Sequence, residues 1–329
     1  MEDLRGKVVI VTGASSGLGR EVAVQLAADG CSVALAARSA EGLEETARDC
    51  RDVGGNALAV VTDVSREEDV TALVDTVLRE WGAVDVLVNN AAVTIFAQGI
   101  EDGSFEDHRR VIETNVLGMM LCARAVVPIF RRQKRGVLVN VSSILGKIGQ
   151  PFVPSYVVSK FAVRGLSEAL RTELADEPDI HVCSLFPFAI DTPHFEAAAY
   201  EKGRPAVALP PMQSPEKVAR ALVDLIKHPR RERHVPRVAL LGLALHAMAP
   251  STVEQLLLHS LRAWHFDERQ QPKSEGNLYA PSPREGPVHG HRPPRVGTVA
   301  FAAWVLRELV RIEAERTRRR VRRWRARAA

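Results

Sequence analysis

The chain has little of what marks several protein classes. Its 329 residues hold only four cysteines, Cys31, Cys50, Cys122 and Cys183, far apart and in no paired-thiol spacing. That spacing excludes a dense disulfide framework and leads us to expect a reducing, cytoplasmic setting. Met1 to Lys7 lacks the apolar stretch of a secretory leader. The longest apolar run, Val238 to Ala249, is interrupted by His246. It falls short of the ~20 residues needed to span a bilayer. Aromatics are scarce at 5%, and no internal repeat is present. The histidines show no metalloprotease spacing, and His289-Gly290-His291 reads as linker, so no metal is expected.

Hydrophobic residues at 46% and charged residues at 26% are ordinary for a globular protein. The formal charge of +4 is unevenly spread: Arg316 to Arg327 holds eight arginines and no acid. Without them the remainder carries −4, so the basic balance is a property of the tail. Trp324 interleaves the arginines, but no nucleic-acid recognition fold accompanies them, and nucleic acid is not an expected partner.

Short apolar runs alternate with amphipathic stretches over the first two-thirds. Strands are predicted at 8–11, 32–36, 57–61, 84–88, 136–141 and 180–186. Helices are predicted at 19–29, 41–50, 67–81, 111–132, 156–175 and 215–227, the last with Ser214 as cap and Pro215 first in the helix. Gly30 is expected to stop the first helix. This alternation implies an α/β class: a doubly wound parallel sheet of the Rossmann type in three α/β/α layers. Pro187 to Pro211 fits no regular element. The expected division is a catalytic domain over 1–235, an apolar helical extension over 236–266, a Pro/Gly-rich linker or extended wrap over 267–298, and an amphipathic basic helix over 299–329.

Thr12-Gly13-Ala14-Ser15-Ser16-Gly17-Leu18-Gly19 lies between the first strand and the first helix. Gly13 permits a tight turn, while Gly17 and Gly19 permit close backbone approach. The helix-start N–H groups then face a pyrophosphate, with Ser15, Ser16 and Leu18 beside it. The second strand ends at Ala37-Arg38, with no acid to accept from a ribose diol. Arg38 suits a 2′-phosphate, which favours NADP(H) and leaves NAD(H) possible.

With those residues in place, the sequence resembles the classical short-chain dehydrogenase/reductase (SDR) family. Asp63-Val64 matches the pair that holds adenine in that family. Asn89-Asn90-Ala91-Ala92 resembles its Asn-Asn-Ala-Gly element, Asn115 its structural and catalytic asparagine, and Ser143 its serine. Tyr156-Val157-Val158-Ser159-Lys160 matches its Tyr-x-x-x-Lys signature. Ile190 and Thr192 match positions that contact the nicotinamide carboxamide. Two departures are Ala92, in place of the last glycine of the asparagine element, and Phe188, in place of the glycine that usually follows Pro187. Phe188 is therefore a candidate substrate contact.

The resemblance implies an oxidoreductase that interconverts a carbonyl and a secondary alcohol by hydride transfer. Tyr156 and Lys160 share a helix face at four-residue spacing. A nearby ammonium is expected to lower the phenol's pKa, and Tyr156 then serves as general acid/base. Ser143 offers a hydroxyl to the substrate oxygen, Lys160 holds the nicotinamide ribose, and Asn115 anchors a water behind Lys160. The other two tyrosines, Tyr200 and Tyr279, have no lysine at helical spacing. By the same analogy 194–212 forms a flap over the substrate. Phe186, Phe188, Phe195, Leu209 and Met212 make its surroundings apolar, against a thin cationic basis of Lys202 and Arg204. The expected substrate is a fairly hydrophobic carbonyl or alcohol. A homo-dimer or tetramer is expected through the helices at 111–132 and 156–175. The tail is expected to pack on the protein's own surface, with peripheral contact to anionic lipid as the alternative. Other readings are a non-catalytic cofactor-binding scaffold, or an epimerase or dehydratase on the same fold.

Overall fold

β-branched runs that exclude polar side chains become the strands. The computed structural model describes residues 3–97, 99–201, 204–266, 272–283 and 286–328, the last ten as helical backbone. Val8–Thr12 (β1) is buried along its whole length. It pairs in parallel with Ser32–Ala37 (β2) on one side and Val86–Asn89 (β4) on the other. Asn56–Val61 (β3) adds beyond β2. Gly136–Val141 (β6), Ile180–Pro187 (β7) and Glu232–Val235 (β9) add beyond β4. The order is β3-β2-β1-β4-β6-β7-β9, all parallel. Chain direction across the sheet reverses between β1 and β4, which opens a crevice at the strands' carboxyl ends. A two-residue pair, Ile95–Phe96 (β5) with Ala199–Tyr200 (β8), lies outside this sheet and ties part of the irregular segment down.

Helices cover both faces. Gly17–Ala28 (α1), Ala40–Asp52 (α2) and Pro215–Lys227 (α8) bury Leu26, Leu43 and Leu222 against one face. Glu67–Trp81 (α3) and Gly118–Gln133 (α5) bury Leu73 and Phe130 against the other. Ser214 accepts from Lys217 N–H and Pro215 opens α8, as the sequence predicts. One predicted helix is corrected. In place of a single α-helix over 111–132, Ser104 caps Phe105–Ile112 (α4), a π turn follows over Glu113–Leu117, and α5 completes the run. The stretch Phe105–Gln133 is apolar and long enough to cross a membrane, but 56% of its apolar window is buried within the fold. It serves as a core helix. Pro154–Glu173 (α6) and the short His194–Ala197 (α7) flank the crevice.

Ala239–Met248 (α9) and Pro250–Trp264 (α10) follow β9. Thr298–Ala328 (α11) lies on α10. There Ile312 and Leu261 are buried, His259 Nδ1 meets Glu308 Oε1 at 2.6 Å, and Arg316 Nη2 donates to Ser251 Oγ at 2.9 Å. Between them the chain wraps the fold. Ser274 and Tyr200 exchange backbone hydrogen bonds at 2.9 and 3.1 Å. Leu278, fully buried with Val93, Ile95, Val111 and Ala199, anchors the wrap with about 2 kcal/mol of apolar burial.

Candidate active site

β1 ends at Thr12, and the chain turns through Gly13 (φ +67°) and Gly17 (φ +53°) into α1. Side chains do not fit this turn. A Cβ on Gly19 would lie 2.0 Å from Gly13 O, and one on Gly13 would lie 2.8 Å from Ala91 Cα. Thr12 Oγ1 accepts from the backbone N–H groups of Asn90 and Ala91 at 2.9 and 3.1 Å. The Asn90 amide donates to Thr12 O and Gly13 O, so Asn90 braces the crevice from β4. No side chain caps α1, although Gly17 N–H donates to Pro287 O at 3.0 Å, and the helix's dipole end faces the crevice. Ser15, Ser16, Leu18 and Val64 line it. This glycine-walled cradle at a helix start without a side-chain cap fits an extended dinucleotide.

Asp63 stands two residues past the end of β3. Burial pushes its carboxyl up, but the Ser65 hydroxyl and amide and the Arg110 guanidinium outweigh this and hold it below the usual carboxylate range. Arg110 Nη2 sits 2.6 Å from it. The sequence pattern singled out Asp63 but not Arg110, which carries no motif. Arg38 lines the crevice beyond β2, with its guanidinium donating to the backbone oxygens of Asn277 and Leu278 at 2.5 and 3.1 Å.

Tyr156 and Lys160 lie one turn apart on α6, with Lys160 Nζ 5.3 Å from the Tyr156 ring centroid. Lys160 is 2% exposed and donates to Val141 O at 3.0 Å. Burial lowers its pKa to about 7. Burial also raises the Tyr156 phenol above its ordinary value, outweighing a hydrogen bond with the Ser143 side chain. The direction is opposite to the sequence-based expectation. A low-dielectric pocket penalises phenolate and ammonium alike, so both groups shift toward their neutral forms.

Ser143, two residues past β6, caps the next turn and accepts from Leu145 N–H at 3.1 Å. Asn115, on the π turn, accepts from Val93 N–H at 2.8 Å and donates to Val93 O and Ser159 Oγ. Both of its donors are taken, so the expected water behind Lys160 has no donor left on this side chain. The π turn is what aims Asn115 inward, as such insertions often do at functional sites.

The crevice and the space beside Tyr156 form one continuous cavity of about 550 Å³. Ile190 and Thr192 line the joint, and Phe188 lines it with its N–H on Val235 O at 2.8 Å. The far end is apolar, with Phe96, Phe195 and Leu209 meeting Leu243 of α9 and Leu257 and Leu261 of α10. Composition alone did not show that the C-terminal helices would wall this end. Two expected lining residues are corrected. Phe186 is buried behind the wall, stacked on His234 at 5.0 Å, and Met212 is not part of the wall. Lys202 lies outside the described residues, and Arg204 sits over the Phe266 ring at 5.9 Å. His194 was missed as a site residue. Its ring lies 5.6 Å from that of Tyr156, and burial lowers its pKa to about 4, which keeps it neutral. His289 pairs with Glu216 at 2.6 Å.

The short chain dehydrogenase family model matches residues 7–202. An uncharacterised oxidoreductase of Bacillus subtilis, YxnA, is 34% identical over 286 residues, 85% of this chain and 79% of that protein. 3β-Hydroxysteroid dehydrogenase 1 of Eggerthella lenta is 40% identical over 194 residues, 58% of this chain and 74% of that one. A short chain dehydrogenase/reductase from Burkholderia phymatum, solved in complex with NAD, superposes with a TM-score of 0.70 at 27% identity, covering 76% of this chain and 96% of that one. The phosphate-loop crevice on a seven-stranded parallel sheet and the family match over most of that sheet lead to one conclusion: this chain belongs to the short chain dehydrogenase family and is an oxidoreductase that acts on CH–OH groups with NAD(P)(H).

Proposed function

We propose that the protein interconverts a fairly hydrophobic carbonyl compound and its secondary alcohol, with NADP(H) preferred over NAD(H) and Tyr156 as general acid/base. The observation that carries this reading is the convergence of Ser143, Tyr156 and Lys160 at one end of a dinucleotide crevice whose continuation is apolar. The bound nicotinamide supplies or accepts the hydride. Tyr156, held neutral by burial, gives its proton to the carbonyl oxygen during reduction and recovers it during oxidation. Ser143 bonds the same oxygen and steadies the charge that develops there. Lys160 holds the nicotinamide ribose, and Asn115 fixes α6 through Ser159 beneath Tyr156. Gly13, Ser15, Ser16, Gly17, Leu18 and Gly19 take the pyrophosphate, Asp63 and Val64 the adenine, and Ile190 and Thr192 the carboxamide. Asn90 acts by bracing the loop. Phe188 shapes the substrate end, and Arg38 supports the NADP(H) preference.

Residues 1–235 then form the catalytic domain, with 236–266 completing its substrate wall. One relative is named a 3β-hydroxysteroid dehydrogenase, and a hydroxysteroid is a largely apolar alcohol, in keeping with this reading. A panel of apolar ketones and small charged oxo acids, followed by NADPH absorbance, tests it. Apolar ketones should be reduced with the higher kcat/KM, and turnover confined to the charged acids would refute it. Turnover of nothing on the panel would favour a scaffold. Product epimers or loss of water without net NADPH consumption would favour an epimerase or dehydratase.

A homo-oligomer is supported by exposed Leu117 and Met120 before and in α5, and by Val158 and Phe161 on α6. The buried, unpaired cysteines suit a cytoplasmic setting. Packing of α11 on α10 favours the tail's residence on its own protein. One feature keeps the lipid reading in play: α9 exposes Leu240, Leu241, Leu245 and Met248, close to where Arg316 meets Ser251. Flotation with anionic vesicles should leave the protein in the aqueous fraction. Flotation abolished by Leu241→Glu with Met248→Glu would establish the lipid surface instead.

A further inference from the structure

One polar side chain in the substrate cavity has no task in the reaction described above. His194 opens α7 and lines the cavity, half-buried. Its ring packs 5.6 Å from that of Tyr156 and edge-on to Phe195 at 5.9 Å. Those contacts use carbon surface, and a phenyl ring would serve them as well. Among the described residues, no hydrogen bond or ion pair engages either ring nitrogen, and His194 does not cap its own helix. Burial, helped by the nearby Lys160 ammonium, lowers the imidazole's pKa to about 4, so the ring is neutral. A neutral imidazole carries one N–H donor and one lone-pair acceptor. A substrate that fills the cavity strips water from both, and a wholly apolar substrate gives no hydrogen bond in return.

We propose that His194 is a specificity-determining residue that binds an uncharged hydroxyl within two bonds of the reacting carbon, so that the preferred substrate is an apolar hydroxyketone and its product the diol. The ring spacing sets the position. A carbonyl oxygen held by Ser143 and Tyr156 brings its own carbon, and the next one or two, alongside the ring that packs on Tyr156. The surroundings set the charge. A carboxylate or ammonium there would lose its water against Leu145, Phe188 and Phe195, which line the same cavity. The imidazole sets the group. A hydroxyl both donates and accepts, which matches either tautomer, whereas an ester or oxo oxygen only accepts. A site built to bond a hydroxyl also discriminates against the analogue that lacks it, because its own polar atoms are then left unpaired. In reduction the carbonyl carbon takes hydride from the reduced dinucleotide, its oxygen takes the Tyr156 proton, and the neighbouring hydroxyl is unchanged. This role for His194 rests on the apolar-carbonyl reading proposed above and narrows it.

The test uses the full chain and measures binding as well as turnover. Wild type, His194→Phe and His194→Gln are compared. Quenching of bound NADPH fluorescence titrates a medium-chain secondary alcohol and the matching vicinal diol. NADPH absorbance follows a medium-chain methyl ketone and the same ketone with a hydroxyl on the adjacent carbon. Wild type should favour the diol in Kd, and the hydroxyketone in kcat/KM, by about tenfold, the scale of one hydrogen bond. His194→Phe keeps a ring and removes both nitrogens. The hydroxylated compounds should lose about tenfold, chiefly in Kd and KM, while the plain ones gain because no polar edge is left unpaired. His194→Gln keeps a donor and an acceptor and should restore most of the preference, and His194→Leu replaces His194→Phe if the larger ring does not fit. Equal losses for plain and hydroxylated compounds overturn the proposal and leave His194 a packing residue. An unchanged preference in His194→Phe overturns it too, as does a wild type without the preference. A wild type that binds the diol over the alcohol through His194 but reduces neither ketone supports the hydroxyl subsite and refutes the carbonyl-reduction reading instead.

Discussion

Tyr156→Phe should lower carbonyl turnover by about 10²–10⁴-fold while leaving dinucleotide affinity close to wild type. The substitution removes one oxygen and keeps the ring that packs 5.6 Å from His194. What is lost is the proton delivered to the substrate oxygen and the hydrogen bond with Ser143. NADPH absorbance for turnover and fluorescence titration for binding separate the two effects. Turnover unchanged in the variant would refute the assignment of Tyr156. Lys160→Met gives a second, independent reading through pH. The folded protein holds Lys160 at about 7, below its ordinary 10.5. Between those values the unfolded chain binds a proton that the folded chain does not, so this group makes stability rise with pH across that window. Chemical denaturation at pH 7 and pH 9 should show that rise in wild type and a flatter profile in Lys160→Met.

The parts of this site legible in the sequence are those whose constraint is local. A glycine that must tolerate φ +67° at residue 13, a β-branched run that must be buried at 8–11, and a phenol and amine one helical turn apart all leave short patterns. The strands at 32–36, 57–61 and 136–141 were read nearly to their ends for the same reason. What escaped depends on distant partners. Arg110 matters because Asp63 lies 47 residues away, and Asn277 because Arg38 lies 239 residues away. Nothing near either residue records the pairing. The π turn at Glu113–Leu117 has no sequence period of its own, so a uniform helix was the natural reading of 111–132. The phenol's pKa was misjudged in direction because the charge of Lys160 is visible in sequence while the shared burial of both groups is not. The extension at 236–266 was read as apolar helices without a face. Only the fold shows that Leu243, Leu257 and Leu261 look into the cavity.

Gly19→Ala should weaken dinucleotide binding, raising Kd by about 10²-fold, an effect near 2.7 kcal/mol. The added methyl carbon would sit 2.0 Å from Gly13 O and 2.7 Å from Asn90 Nδ2. Gly13 O is backbone in a turn already at positive φ, and Asn90 is held by its bonds to Thr12 O and Gly13 O. Neither yields cheaply, so the loop must move away from α1 and the cradle changes shape. Overpacking of this kind costs about 1–3 kcal/mol of stability as well, and thermal denaturation would record it. Gly165→Ala is the matched control. Gly165 lies inside α6, nothing stands within 4 Å of its missing Cβ, and its backbone is not at positive φ. Alanine there should stabilise the protein by about 0.5–1 kcal/mol through helix propensity and leave binding unchanged. Opposite signs from the same chemical change at two glycines would tie the effect to the crevice and not to glycine loss in general. Binding retained in Gly19→Ala would mean that the pyrophosphate does not lie on this turn.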